Sequence, residues 1–186
     1  TCGIKAGDQL TLEDLLNGLL LYSGNDNAVA IADHIAGSTE KFAEMMNAEA
    51  KKLMATNSHF VNPSGLHDDN HYTTAYDLYL IFNECIKHDD FVKIINSSSY
   101  TAHITGADGT KRDVKWEPTN YYAKGEATPP DNVTIIGGKT GTTKGAGNCL
   151  ILLTKDSSGN PYISIIMGAA SKPLLYQDMT SMLSKI

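Results

Sequence analysis

An α+β fold, in which helices cover an antiparallel sheet, is the fold class that the sequence predicts. In the first half of the 186 residues, apolar side chains recur at helical spacing. The second half changes to short runs of strand-forming residues separated by turn signals, and the last residues return to a helical pattern. This order is typical of α+β domains. We expect one domain over 1–186, with a helical region over 8–95, a sheet region over 97–170 and a C-terminal helix over 172–186.

Four helices are predicted in the helical region. The segment Thr11–Asp14 has the form of a capping box, and the helix that it opens is expected to end near Tyr22. Gly37 is expected to end a second helix, Ser38 to cap a third and Thr74 to open a fourth. The apolar residues expected on the buried faces of these helices are Leu12, Leu15, Leu16, Leu19, Leu20, Ala28, Ile31, Ala32, Ile35, Phe42, Met45, Met46, Ala50, Leu53, Leu78, Ile81, Phe82, Cys85 and Ile86.

Short strands and turns are predicted in the sheet region. The segments 99–105 and 110–116 flank the turn residues GADG and are expected to form a hairpin. Three further strands are expected, one before Lys139, one over 149–154 and one over 162–167. The terminal helix is indicated by four apolar residues at helical spacing, Leu175, Met179, Met182 and Ile186.

The stretch GGKTGTTKGAGNCL, over 137–150, resembles a phosphate-binding loop only in part. Such a loop has the form G-x-x-x-x-G-K-[ST] and opens a helix. Here the position of the first glycine is occupied by Val133, and the residues on both sides predict strands. Lys139-Thr140-Gly141 is therefore expected at the end of a strand, in a hairpin, beside a reacting acyl group and not a phosphate.

Composition excludes several classes of function. The formal charge is −6, and the only arginine is Arg112, so no basic surface for a nucleic-acid partner is expected. No apolar run approaches the roughly 20 residues that span a bilayer. The three cysteines include no C-x-x-C pair, and Cys85 and Cys149 are expected to be small core residues. No cofactor is predicted.

Ser23-Gly24-Asn25 lies where the first predicted helix ends and the second begins. On its own such a tripeptide is more often a turn or a cap. Acyl transfer by an active-site serine needs a proton shuttle to the leaving amine, a cation for the substrate carboxylate and backbone donors for the oxyanion. Together with Lys139, Ser23 and Asn25 fit this chemistry, and we expect these two residues to supply the shuttle.

The candidates for substrate binding follow in the Lys-Thr-Gly stretch. Lys139 and the hydroxyl groups of Thr140 and Thr142 are expected to bind the substrate carboxylate, and the Thr142 N–H to form part of the oxyanion hole. Gly141 is expected to leave room for a substrate that lies along the strand.

Three stretches of the sequence resemble, in order and spacing, the serine-type D-Ala-D-Ala carboxypeptidases, the low-molecular-mass penicillin-binding proteins. They are LLLYSGNDNAVAIADHIAGSTEKFAEMMNAEAKKL, NSHFVNPSGLHDDNHYTTAYDLYLI and GGKTGTTKGAGNCL. The resemblance covers nearly the whole chain. It implies a transpeptidase-like fold shared with β-lactamases, and removal of the terminal D-alanine of peptidoglycan stem peptides through an acyl-enzyme. It also implies acylation by β-lactam antibiotics and a place in the bacterial cell envelope, outside the cytoplasmic membrane. Class A β-lactamases, with S-D-N and K-T-G motifs, are the nearest alternative; a catalytically inactive module that serves as a scaffold is another.

Two departures from the family pattern affect these expectations. The family's S-x-x-K motif, which carries the nucleophile, precedes the Ser-x-Asn motif, whereas the only match here, Ser38–Lys41, follows it and is expected to cap a helix. The chain is therefore expected to be a fragment without the N-terminal part of the fold and inactive alone. Its sheet is expected to be completed by a partner chain or a swapped dimer, or the fragment assembles differently from the full enzyme. The arginine that family members often carry after the last strand is also absent from IIMGAASKP, so carboxylate binding is expected to depend on Lys139, Thr140 and Thr142.

A metal site is a weaker alternative in the loop predicted over 56–72. His67, Asp68, Asp69 and His71 combine imidazole and carboxylate groups within five positions. No helix is predicted there to hold them on one face, so we expect a structural loop and no metal.

Overall fold

The computed structural model describes all 186 residues and confirms the α+β class. The helices are α1 (Leu12–Leu20), α2 (Asn25–Ala36), α3 (Thr39–Lys52), α4 (Ala75–Cys85), α5 (Asp89–Ile95), α6 (Tyr121–Lys124) and α7 (Lys172–Leu183). The strands are β1 (Tyr100–Thr105), β2 (Lys111–Trp116), β3 (Val133–Thr143), β4 (Gly147–Asp156) and β5 (Pro161–Ala169). None of the helices combines the length and the apolar character that crossing a membrane requires.

The strands form two antiparallel sheets. The predicted hairpin is β1 and β2, which form a two-stranded sheet, while β3, β4 and β5 form a separate sheet in that order. Lys139 lies opposite Ile151, and Gly141 lies opposite Cys149. Strands β3 and β4 form the hairpin expected around Lys-Thr-Gly, but β3 is longer than expected, because it continues past Lys139 to Thr143 and these residues make regular ladder pairs with β4.

The core of the larger sheet lies against α7. Leu150 and Leu152 of β4 pack with Leu175, Met179 and Leu183 of the helix, all of them buried. Each such side chain contributes roughly 1.5–3 kcal/mol when it leaves water. The last residues extend past the helix, since α7 ends at Leu183 and not at the chain end. This packing holds α7 against β4 and β5.

The most buried side chains of α1 belong to polar residues and not to its leucines. Asp14, Asn17 and Gly18 are buried, whereas Leu12 is 55% exposed. The Asp14 carboxylate completes the predicted capping box and also accepts a hydrogen bond of 2.9 Å from the Tyr100 hydroxyl, so it ties α1 to β1. Helical periodicity predicted the helix correctly, but the face that packs is set by this polar contact.

The prediction of which residues of α3 are buried was also wrong in part. Met45 is 49% exposed, and the fully buried positions of the helix are the small residues Ala43 and Ala50. Small residues allow two helices to approach closely, and α3 packs against α2. Ser38 caps α3, as predicted, by accepting a hydrogen bond of 3.2 Å from the Lys41 N–H.

Two short helices were not predicted. The helix α5 buries Ile94 and Ile95 and packs against β3. The helix α5 and the strand β3 approach so closely that a Cβ added to Gly137 would lie 2.1 Å from the Ile95 carbonyl oxygen. Only glycine therefore fits at that position of β3. The helix α6 has four residues and follows Asn120, whose side chain caps it.

Candidate active site

A cleft of about 280 Å³ opens where five segments meet: the junction of α1 and α2, the segment around the start of α6, the strands β3 and β4, and the first turns of α7. Of the predicted site residues, Ser23, Asn25, Thr140, Gly141 and Thr142 line this cleft. Lys139 lies next to it and contacts Ser23. The structure therefore brings together residues that are more than a hundred positions apart in the chain.

Ser23 occupies an unusual backbone conformation. Its φ of 68° is in the left-handed region, where a residue other than glycine is disfavoured by roughly 1–3 kcal/mol. Two backbone hydrogen bonds hold the junction on either side, from the Leu21 N–H to the Asn17 carbonyl and from the Gly24 N–H to the Gly18 carbonyl. Asn25 then begins α2. The strained turn directs the Ser23 hydroxyl toward β3.

The N-terminal residues of the chain also pack against the junction between α1 and α2. The Asp26 carboxylate accepts backbone N–H groups of Cys2 and Gly3 at 2.8 and 2.9 Å. The Cys2 thiol packs so closely that a Cβ added to Gly24 would lie 2.4 Å from its sulfur. Burial, together with the Asp26 carboxylate, raises the pKa of the Cys2 thiol to about 12. Cys2 is thus an unreactive packing residue, which the sequence analysis did not single out.

The ammonium group of Lys139 is the electrostatic centre of the site. It donates hydrogen bonds of 2.6 Å to the Ser23 Oγ and 2.8 Å to the Thr140 carbonyl. Burial lowers the pKa of Lys139 from 10.5 to about 8. Roughly a tenth of the molecules would carry a neutral lysine at pH 7, so this group can both give and take a proton near neutral pH.

Thr119 is a cleft residue that the sequence analysis missed. Its Oγ1 lies 2.6 Å from the Thr140 Oγ1, and its N–H donates a hydrogen bond of 3.3 Å to the Leu21 carbonyl. It therefore connects β3 to the end of α1. No periodicity or motif marks this position, because it lies in the irregular loop between β2 and α6.

Gly141 and Thr142 present the open edge of β3 to the cleft. A Cβ added to Gly141 would meet only the Cys149 Cβ, at 4.0 Å, so the fold itself does not require glycine there. Both residues are exposed, and the Thr142 hydroxyl makes only a long contact of 3.4 Å with the Asn148 amide oxygen. The space beside this edge is free for a bound molecule.

Cys149 lies in the cleft, so its expected place in the core was wrong. It is only partly buried, and its Sγ has backbone contacts of 3.5 Å with the Ala146 carbonyl and the Gly168 N–H. Cys149 lies where the pairing of β4 with β5 is interrupted, between Asn148 and Leu150, a feature that the alternating pattern of the strand does not predict.

Aromatic residues and a lysine form the α7 side of the cleft. The rings of Tyr121 and Tyr176 stack with centroids 4.5 Å apart, and the Tyr176 hydroxyl accepts a hydrogen bond of 2.9 Å from the Tyr121 N–H. Lys172, the first residue of α7, extends over the Tyr121 ring at 5.7 Å from its centroid. The cleft thus has a hydroxyl-rich side on β3 and a cationic, aromatic side on α7.

The residues considered as metal ligands do not converge. The Nε2 of His67 is 3.4 Å from the Asp69 carboxylate, but the Nδ1 of His71 accepts the Val61 N–H. The loop contains an isolated bridge between His59 and Tyr72 and no helix. No group of three potential metal ligands occurs in the structure.

Comparisons with known proteins show the family and the fold of the chain. The profile of D-alanyl-D-alanine carboxypeptidases, peptidase family S11, matches residues 2–171. The chain is 30% identical over 185 residues to the D-alanyl-D-alanine carboxypeptidase DacF of Bacillus subtilis (strain 168), a match that covers 97% of this chain and 43% of DacF. It is 34% identical over 170 residues to DacD of Escherichia coli (strain K12), with coverages of 90% and 40%. The crystal structure of the Streptomyces K15 DD-transpeptidase has a TM-score of 0.89 at 29% identity, and covers 99% of this chain and 70% of its own.

The fold is that of the penicillin-binding, transpeptidase-like class of proteins. Because the profile covers most of the residues, the chain belongs to the D-alanyl-D-alanine carboxypeptidase family. The family and the fold class predicted from the sequence are both confirmed. The chain spans less than half the length of the curated relatives named above.

Proposed function

We propose that these 186 residues form part of the catalytic domain of a serine D-Ala-D-Ala carboxypeptidase. The enzyme removes the terminal D-alanine of peptidoglycan stem peptides through an acyl-enzyme, and β-lactam antibiotics acylate the same serine. The observation that carries the proposal is the 2.6 Å hydrogen bond from Lys139 to Ser23 at the wall of an open cleft. Family membership supports the choice of substrate.

The proposed roles follow from the contacts. The Lys139 ammonium donates to the Ser23 hydroxyl, so Ser23 can pass its own proton to the amine of the departing D-alanine and regain one from Lys139. Because burial lowers the pKa of Lys139 to about 8, its ammonium group can release a proton to Ser23 and take one up again near neutral pH. Asn25 lines the same wall and is proposed to hold the peptide, with Thr140, Gly141 and Thr142 along the opposite strand edge.

The nucleophile is proposed to come from an S-x-x-K motif that these residues do not include. Ser38, the first residue of the only match, is the cap of α3, and its hydroxyl accepts the Lys41 N–H. On this proposal the 186 residues alone do not form an acyl-enzyme.

The sheet offers a place for the remaining part of the fold. Strand β5 pairs with β4 on one side only, and its sequence PYISIIMGA contains no charged residue that would discourage another strand. We propose that a further strand, from a partner chain or a swapped dimer, covers this edge. We also propose a location in the bacterial cell envelope, where the substrate is found. Of the two alternatives, neither a β-lactamase nor an inactive scaffold is favoured by a contact in the structure.

Labelling with a fluorescent penicillin tests the proposal. The full-length protein and the 186-residue chain are incubated with the probe, and the adducts are located by peptide mass spectrometry. We expect one adduct on the serine of an S-x-x-K motif in the full-length protein and none on the 186-residue chain. An adduct on Ser23 or Ser38 would overturn the assigned roles. A full-length protein that neither takes up the probe nor releases D-alanine from a stem pentapeptide would overturn the function.

A further inference from the structure

We propose that Tyr121, the first residue of α6, limits the size of the C-terminal residue that the enzyme releases. The proposal deepens the proposed function and rests on it. The sequence analysis did not identify this residue, because it begins a four-residue helix that was not predicted.

Tyr121 and Tyr176 form one side of the cleft, which we call the aromatic wall. Their rings stack with centroids 4.5 Å apart and planes inclined by 7°. The Tyr121 N–H donates a hydrogen bond of 2.9 Å to the Tyr176 hydroxyl, so the backbone of α6 is fixed to the same side chain. The ammonium groups of Lys124 and Lys172 lie over the Tyr121 ring, at 5.5 and 5.7 Å from its centroid. The ring is therefore held by several independent contacts.

The aromatic wall is anchored in the core behind it. Tyr122 is buried, and its ring meets the Tyr176 ring edge-on with centroids 5.3 Å apart. The Tyr122 hydroxyl lies 2.7 Å from the Thr180 Oγ1, so α6 is also tied to α7. Tyr176 belongs to the hydrophobic core that includes Leu150 and Met179. Rings packed in this way do not move aside without losing contacts, so the wall sets a fixed limit on what fits beside it.

The aromatic wall lies beside the Thr140 end of the open strand edge. Thr119, two residues before Tyr121, has its Oγ1 2.6 Å from the Thr140 Oγ1. The Thr142 hydroxyl, further along β3, instead lies 3.4 Å from the Asn148 amide oxygen. A residue bound next to Thr140 is therefore the part of the peptide that comes closest to Tyr121.

The proposed roles place the departing D-alanine at that end. Its amine receives a proton from Ser23, and its carboxylate is expected to bind the Thr140 hydroxyl. Because the Cα of an amino acid is tetrahedral, the side chain is directed away from both groups. The remaining side of the cleft that consists of large side chains is the aromatic wall. A methyl group fits beside the fixed rings, whereas a longer side chain collides with Tyr121, and pockets discriminate by roughly 10–200-fold for each methylene group.

The test measures the size preference of the full-length protein and of three variants of Tyr121. N-acyl-L-Lys-D-Ala-D-Ala is compared with N-acyl-L-Lys-D-Ala-D-Leu, and kcat/KM is taken from release of the C-terminal amino acid. We expect the wild type to prefer D-alanine by about tenfold or more, and Tyr121→Ala to lower this preference about tenfold. Tyr121→Leu, which keeps an apolar contact with Tyr176, should lower it in part, and Tyr121→Phe, which keeps the ring, should retain it.

Three controls make the measurement specific. The preference is a ratio of two kcat/KM values from one preparation, so the folded fraction of a variant cancels. Tyr76→Ala removes a tyrosine that is 66% exposed on α4, outside the cleft, and should leave the preference unchanged. A third peptide, N-acyl-L-Lys-D-Leu-D-Ala, carries the larger residue before the scissile bond. Its rate relative to that of the D-Ala-D-Ala peptide should be the same in the wild type and in Tyr121→Ala.

The outcomes separate this inference from the proposed function. A wild type that releases no D-alanine from N-acyl-L-Lys-D-Ala-D-Ala would refute the function, and the Tyr121 assignment with it. A wild type that releases D-alanine and D-leucine equally well, or a preference that is unchanged in Tyr121→Ala and Tyr121→Leu, would refute the assignment alone. A gain confined to the peptide with D-leucine before the scissile bond would also refute it, because the wall would then face a different residue of the substrate.

Discussion

Replacing Lys139 by methionine should stabilise the chain, although the same change should remove the proposed activity of the full-length protein. Burial lowers the pKa of Lys139 from 10.5 to about 8. Each pH unit corresponds to about 1.4 kcal/mol, so the charged lysine destabilises the folded chain by about 3 kcal/mol relative to a lysine with the ordinary pKa. Methionine has a similar length and no charge, but it also loses the hydrogen bonds to Ser23 and Thr140. We therefore expect a net gain of about 1–3 kcal/mol in the free energy of unfolding at pH 7.

The gain should depend on pH in a defined direction. Below pH 8 the lysine is charged in both the folded and the unfolded chain, so the full penalty is present. Between pH 8 and 10.5 the folded chain loses the proton first, the wild type becomes more stable, and the advantage of Lys139→Met shrinks. Urea unfolding of both chains at pH 7 and pH 10 measures this difference. Lys144→Met, at an exposed turn position, is the control and should show no gain.

Either of two results would refute the reasoning. One is a Lys139→Met chain that is no more stable than the wild type at pH 7. The other is a gain in the free energy of unfolding that stays the same at pH 10, because burial of a charge would then not be its cause.

Three further experiments test the cleft and the strand β3, the last of them with a matched pair of glycines. Ser23→Ala in the full-length protein should lower kcat at least tenfold with little change in KM, since it interrupts proton transfer; a change in KM alone would reassign this residue to binding. Thr119→Val should lower kcat/KM several-fold by removing the 2.6 Å contact with Thr140, and Thr119→Ser should restore it; no effect on kcat/KM would exclude a positioning role. Gly137→Ala should reduce the free energy of unfolding by about 1–3 kcal/mol or more, because its Cβ would lie 2.1 Å from a backbone carbonyl, while Gly141→Ala should leave stability unchanged and weaken only substrate turnover. Equal loss of stability in both glycine variants, measured by urea unfolding, would contradict the difference in packing.

Much of the candidate site could be predicted because its residues occur in compact motifs. Ser23 and Asn25 follow a clear helix end, and Lys139 follows a clear strand pattern, so their positions needed only local reasoning and one resemblance. Their convergence depends on contacts that no local pattern contains, such as the Asp26 carboxylate that holds the N-terminal segment against the junction.

The misplaced residues share a physical cause. Periodicity identifies a helix or a strand, but the tertiary neighbours decide which face is covered. Leu12 and Met45 are exposed because Asp14 and small alanines make the packing contacts instead. Cys149 has an apolar neighbour on β4, but the Cys149 side chain itself lines the cleft. Thr119 belongs to an irregular loop, where sequence patterns carry no directional information.

The most direct test of the central claim is D-alanine release from a stem pentapeptide by the full-length protein and by its Lys139→Ala variant. The account predicts steady release by the wild type and a fall of about two to three orders of magnitude in the variant, the size expected when a preorganised charge is removed from an active site. Equal rates for the two proteins, with both of them folded, would show that the contact between Lys139 and Ser23 has no part in the reaction.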